Sequence, residues 1–234
     1  MKITKNKIYI LLLIMIFIAL LVFQIKYITE GKLLSDNSGN FIYIAVSHVL
    51  LTFISFSYCL YLLFMNRKNK RIIEDLFCIY FLFALIADIF FSFTNLLFIG
   101  HILFILIYLT LMIIRRAKIY EYLIALGVGS LGIIALVIAK KVTLLLSLDS
   151  FIVAILVLHL IICIKNYVKN KNKANLFIMI AVILIIISDL SIALSRIFTN
   201  NILINLSALI TWPTYVAACS LLNIYYDYKR NLIE

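Results

Sequence analysis

Two aspartates stand where ionising a carboxylate is least favourable. Asp88 is the one charged residue of LFALIADIFFSF (Leu82 to Phe93), and Asp189 is the one charged residue of LIIISDLSIAL (Leu184 to Leu194). A charge at the centre of so apolar a run costs roughly 3 kcal/mol on an insertion scale, so a retained acid is a candidate for function. Burial raises the pKa of a carboxyl, and a neighbouring negative charge opposes ionising both members of a pair. Two such carboxyls can therefore work as one proton-holding acid and one ionised base, the logic of glycosidase acid pairs. The plainer alternative is structural, because a protonated aspartate can also hydrogen-bond one helix to another.

Other polar residues lie at a matching level. Counting at about 1.5 Å per residue from the turn at Thr94 and Asn95 puts Asp88 and His101 at similar depth on adjacent antiparallel helices. The same counting brings His48, Asp149, Asp189 and Arg196 into that half of the apolar layer, while Glu121 and His159 fall nearer the other side. A water-accessible pocket would collect residues in this way. His101 can equally bond a backbone carbonyl or Asp88, Arg196 can reach headgroups from an interfacial position, and Trp212 and Tyr215 can pack or anchor. The chain carries no Walker loop, HExxH, GxSxG or Cys/His cluster, so neither a metal nor a cofactor is expected. The Tyr-Asp and Gly-x-Gly-Asp signatures of intramembrane aspartyl proteases are also missing; the stretches read LIAD and IISD.

The elements that must position these residues follow from composition. Of 234 residues, 66% are hydrophobic and 13% charged, with a mean hydropathy of +1.18. That excludes a soluble domain, which could not hide so much apolar surface. Six glycines, one proline and no alternating pattern argue against a membrane β-barrel. The expected fold is all-α: a single integral membrane domain over 1–234, a bundle of about eight transmembrane helices. Apolar runs at 8–23, 41–65, 76–93, 96–114, 120–139, 142–164, 174–194 and 202–226 are long enough for this. The first, preceded by Lys2, Lys5 and Lys7, reads as an uncleaved signal anchor.

The net charge of +11 is a topology signal rather than a nucleic-acid footprint. With eight spans, only Lys26, Lys32, Lys140, Lys141 and Arg196 of the 21 lysines and arginines fall outside the segments on one side. The positive-inside rule makes that side cytoplasmic and puts both termini there. Cys59, Cys78, Cys163 and Cys219 lie within apolar runs without metal-ligand spacing and read as packing residues.

At its two aspartates the chain resembles the YhhN/TMEM86 family of lysoplasmalogenase-like integral membrane proteins. FALIADIFF matches the family's acid-bearing span through Asp88, and GHILFI (Gly100 to Ile105) matches the next through His101. IAVILIIISDLSIALSRIF (Ile180 to Phe198) carries the Ser-Asp element at Ser188 and Asp189, and TYVAACSLL (Thr214 to Leu222) fits the last span through Tyr215. Ala87, Phe104 and Cys219 depart from the family's Gly, Tyr and Gln, and the stretch from Asp88 to His101 is shorter.

The resemblance implies a hydrolase that cleaves the vinyl ether of a lysoplasmalogen, releasing a fatty aldehyde and a glycerophospho-alcohol. Asp88 and Asp189 would be the catalytic pair, one as acid and the other as base, in either order. His101, Asp149, Arg196 and Tyr215 would bind substrate, with Arg196 on its phosphate and no cofactor taking part. Beyond the lysophospholipid and the bilayer, no partner is implied. A proton-coupled carrier of lipid or small amphiphile is the alternative, with the aspartates as relay; a purely interacting membrane subunit is a third. The Ile-, Lys- and Asn-rich composition suggests an AT-rich bacterial genome, hence a plasma membrane.

Overall fold

The computed structural model describes residues 2–29, 41–65, 72–94, 96–115, 117–197 and 201–231, without every side chain inside those ranges. Eight α-helices occupy them: α1 (Lys2–Thr29), α2 (Phe41–Met65), α3 (Ile72–Phe93), α4 (Leu97–Ile114), α5 (Ile119–Ile138), α6 (Leu144–Lys169), α7 (Lys173–Ile197) and α8 (Asn201–Asn231). Each apolar run named above overlaps one of them. Long runs of Ile, Leu and Phe satisfy every backbone group internally only as helix, which is what a hydrocarbon environment demands. Five helices are long and apolar enough to cross a membrane: Asp75–Phe93, Leu97–Ile114, Ile119–Ile138, Leu144–Lys169 and Lys173–Ala193. These mark an all-helical, multi-pass membrane protein.

The chain divides into two units. The first comprises Met1–Ser55 and Ile180–Glu234, the second Phe56–Met179. The divisions fall inside α2 and α7.

In the second unit α3 packs on α4, α4 on α6, and α6 on α5. Its core holds Phe77, Phe81, Tyr108, Leu111 and Leu156, all fully buried. α5 touches α6 through small residues. A methyl group added at Gly129 would strike the Phe151 ring, and one at Gly132 would strike the Ser150 hydroxyl. The opposite side of α5 exposes Leu123, Leu126, Leu131 and Ile134, a surface suited to acyl chains.

Short turns fix the hairpins. The Thr94 hydroxyl donates to the Phe90 carbonyl at 2.8 Å and accepts from the Leu96 amide at 3.1 Å, closing α3 into α4. Between α5 and α6, Lys140 takes φ 54°. Its amide donates to the Val137 carbonyl at 3.0 Å and that of Lys141 to the Leu136 carbonyl at 2.9 Å. This is a Schellman ending with lysine where glycine is usual. Thr143 then caps α6 by accepting from the Leu146 amide. Asn172 accepts from the Asn175 amide to start α7, while the Asn175 side chain donates back to the Asn166 and Asn170 carbonyls at the end of α6.

In the first unit α1 packs against α8, and a buried polar node ties α2 to both. Tyr9 Oη lies 3.3 Å from Ser55 Oγ, and Asn223 Nδ2 donates both to Tyr9 Oη and to the Cys219 carbonyl. Such interhelical hydrogen bonds join helices where lipid supplies no hydrophobic drive between them.

Candidate functional site

The second unit assembles an acid–base group on three helices. Asp88 on α3 and His101 on α4 are buried, at 4% and 3% exposure. α3 presents Ala84, Ala87, Asp88 and Phe91 at the spacing of one helical face. Phe91 meets His101 edge-on with ring centroids 5.1 Å apart. A side chain at position 100 would press that Phe91 ring at 2.7 Å, so Gly100 permits the approach. Below His101, Phe91, Phe104 and Tyr108 form an aromatic column at 5.4 and 5.9 Å spacings.

His101 is held at both nitrogens. Nδ1 lies 2.7 Å from the Leu97 carbonyl one turn earlier on α4. A carbonyl can only accept, so Nδ1 carries a hydrogen. Nε2 faces Asp149 Oδ1 of α6 at 3.2 Å. With Nδ1 on the carbonyl, Nε2 is the nitrogen through which a proton could pass to or from the Asp149 carboxyl. Asp149 retains 19% exposure against 3% for His101, so the carboxyl is the member open to exchange.

Of the residues picked out by sequence, the structure thus joins His101 to Asp149 and sets Asp88 one turn from the phenylalanine that touches the imidazole. Asp189 belongs to the first unit, on α7, partly buried beside a buried Ser188. Tyr215 on α8 is buried there as well. Arg196 lies on α7, and its side chain is outside the described residues. His48 is buried against Trp212, with ring centroids 3.1 Å apart and planes inclined by 26°.

Sequence reasoning set His159 aside, yet it anchors a second polar group. Its Nε2 donates to the Tyr108 carbonyl at 3.2 Å, leaving Nδ1 to accept from Arg115 Nη1 at 2.7 Å. The same guanidinium nitrogen donates to the His159 carbonyl at 3.0 Å and contacts Cys163 Sγ at 3.4 Å. Arg115 thereby ties the end of α4 to α6. The available signal was a cation at the end of one span, level with a histidine and a cysteine one turn apart in another. The Tyr9, Ser55 and Asn223 node was missed for a different reason: no local pattern links residues on three separate helices.

Among the described residues, no group of three or more His, Cys, Asp or Glu is placed to hold a metal ion. Comparison with protein-family models, with curated proteins and with solved structures returned no match to this chain.

Proposed function

We propose that this chain is a membrane-embedded hydrolase that cleaves the vinyl ether bond of lysoplasmalogens by acid–base catalysis. The observation that carries the reading is the contact of His101 with Asp149, in the same helical unit as the buried Asp88. The resemblance at Asp88, His101, Asp189 and Tyr215 supplies the substrate class.

Vinyl ether hydrolysis begins with proton transfer to the β-carbon, which leaves an oxocarbenium ion. Water adds to the cationic carbon, and the hemiacetal collapses to aldehyde and alcohol. The first step needs a carboxylic acid still protonated near neutral pH, a role this reading gives to the buried Asp88. Asp189 has the ionised role, supporting the cation and taking a proton from water. The His101–Asp149 dyad returns a proton to the acid after each turnover, through the partly exposed carboxyl. Eight spans with both termini cytoplasmic, in a bacterial plasma membrane, complete this reading and follow the distribution of lysine and arginine.

The test is aldehyde release by the purified protein in detergent from a lysoplasmalogen and from its saturated alkyl-ether analogue. Aldehyde from the vinyl ether alone, abolished in Asp88→Asn and in Asp189→Asn, is the expected result. Normal turnover in both variants removes the assignment. The same dyad also suits a proton-coupled amphiphile carrier, for which lipid would cross the bilayer intact and only with a proton gradient.

A further inference from the structure

The first unit has a polar interior that the proposed chemistry does not use. His48 on α2 is 1% exposed, and its Nε2 has no hydrogen-bond partner among the described residues. Gln24 on α1 is fully buried, and neither its Nε2 nor its Oε1 has a partner among them. Buried polar groups are nearly always paired, so two such side chains in one unit call for an explanation.

The neighbouring hydroxyls do not supply it. Thr52 Oγ1 donates to the carbonyls of His48 and Val49. Thr211 Oγ1 donates to the Ser207 carbonyl one turn back. These hydroxyls are occupied by their own helices, as intramembrane Ser and Thr usually are.

α8 also gives up one backbone hydrogen bond at this place. Pro213 lies within the helix, directly after the tryptophan that stacks on His48. Proline has no amide hydrogen, so the Leu209 carbonyl loses its usual helical donor.

Helical rise sets the levels of these groups. From the Tyr9, Ser55 and Asn223 node, His48 stands about 10 Å along α2, Trp212 about 16 Å along α8 and Gln24 about 22 Å along α1. All lie on the same side of the node. Gln24 and His48 therefore stand at levels about 12 Å apart, too far for a single contact, and are two separate unpaired groups.

We propose that the stack of His48 on Trp212 is a binding site for the neutral, hydroxylated head of an amphiphile, anchored on His48 Nε2. A hydroxyl both donates and accepts, so it satisfies an imidazole nitrogen in either tautomer. The fully buried polar groups nearest to it, His48 and Thr52 one turn on, carry no fixed charge, so a phosphate or ammonium would be desolvated without compensation. The outer faces of the same helices expose Met15 and Ile18 on α1 and Leu206 and Ile210 on α8. A ligand arriving through such surroundings brings an acyl or alkyl chain. This site stands apart from the hydrolase reading, because its ligand needs no vinyl ether.

The test uses the chain's only tryptophan, Trp212, as its own reporter. Full-length protein in phosphatidylcholine nanodiscs is titrated with 1-O-octylglycerol, with octyl methyl ether and with free glycerol. The expected result is a saturable change in Trp212 emission with octylglycerol alone. His48→Phe, which keeps a ring against the indole, should weaken that binding at least tenfold, while His48→Gln should stay within a few-fold of wild type. No saturable change, or an equal response to octyl methyl ether, overturns the site and leaves His48 Nε2 to water or lipid chain. An equal response to free glycerol overturns the amphiphile. The wild-type comparison decides even if neither variant folds, and it is independent of aldehyde release.

Discussion

At the scale of single residues, the second unit depends on how two histidines are bonded. His101 sets Nδ1 against the Leu97 carbonyl and Nε2 against Asp149. In Asp149→Asn the imidazole keeps a hydrogen-bonding neighbour but loses the carboxyl that could exchange a proton with it. If the dyad feeds protons to Asp88, this variant should remain folded and lose about 100-fold in turnover, the usual size of a general acid–base contribution. Thermal unfolding alongside the aldehyde assay separates that loss from misfolding. His159 differs, because both its nitrogens serve structure. Arg115→Gln should lower stability by about 1–3 kcal/mol, leaving His159 Nδ1 without its charged donor. A melting temperature equal to wild type in Arg115→Gln would show that the α4–α6 tie is dispensable.

At the scale of elements, two features of α5 make opposite predictions. Its final turn holds Lys140 at φ 54°, a left-handed conformation that costs a non-glycine residue about 1–2 kcal/mol. Glycine loses more freedom on folding, so Lys140→Gly should gain a smaller net amount, about 0.5–1 kcal/mol. One turn of Gly129 and Gly132, in contrast, lets α5 approach Phe151 and Ser150 on α6. Gly129→Val should destabilise by about 1–3 kcal/mol, since the ring and the helix behind it must shift. Parallel melts of the two variants in one detergent test both, and a stabilised Gly129→Val would contradict the close approach. The adjoining Gly127 meets nothing within 4 Å of an added side chain. Gly127→Val therefore serves as the control.

At the scale of the whole molecule, the eight-span arrangement can be tested through the loops. The native cysteines Cys59, Cys78, Cys163 and Cys219 are all buried, so the background reactivity should be low. A cysteine at Lys140 should react with an impermeant maleimide added to intact cells, and one at Asn170 only after permeabilisation. Labelling of both positions from outside would reverse the charge-based orientation. Five helices meet the length and apolarity needed to cross a membrane, and the positions at 140 and 170 flank one of them, α6.

Membership in an all-helical membrane class was legible in the chain because it depends on composition and run length, which are local and additive. The helices at 119–138 and 144–169 were separable because Lys140 and Lys141 interrupt the apolar pattern. The shared level of His101 and Asp149 was legible for the same reason, since helical rise converts position along a run into height. Azimuth was not. Hydrophobic periodicity shows which face of a helix is buried, but in lipid nearly every face is apolar, so the pattern that would aim Asp88, His101 or His48 is erased. Only packing decided that α6 brings Asp149 to His101, that Arg115 reaches His159, and that Trp212 lies on His48. Those contacts join residues tens or hundreds of positions apart, and they form only when helices of fixed height settle on particular faces.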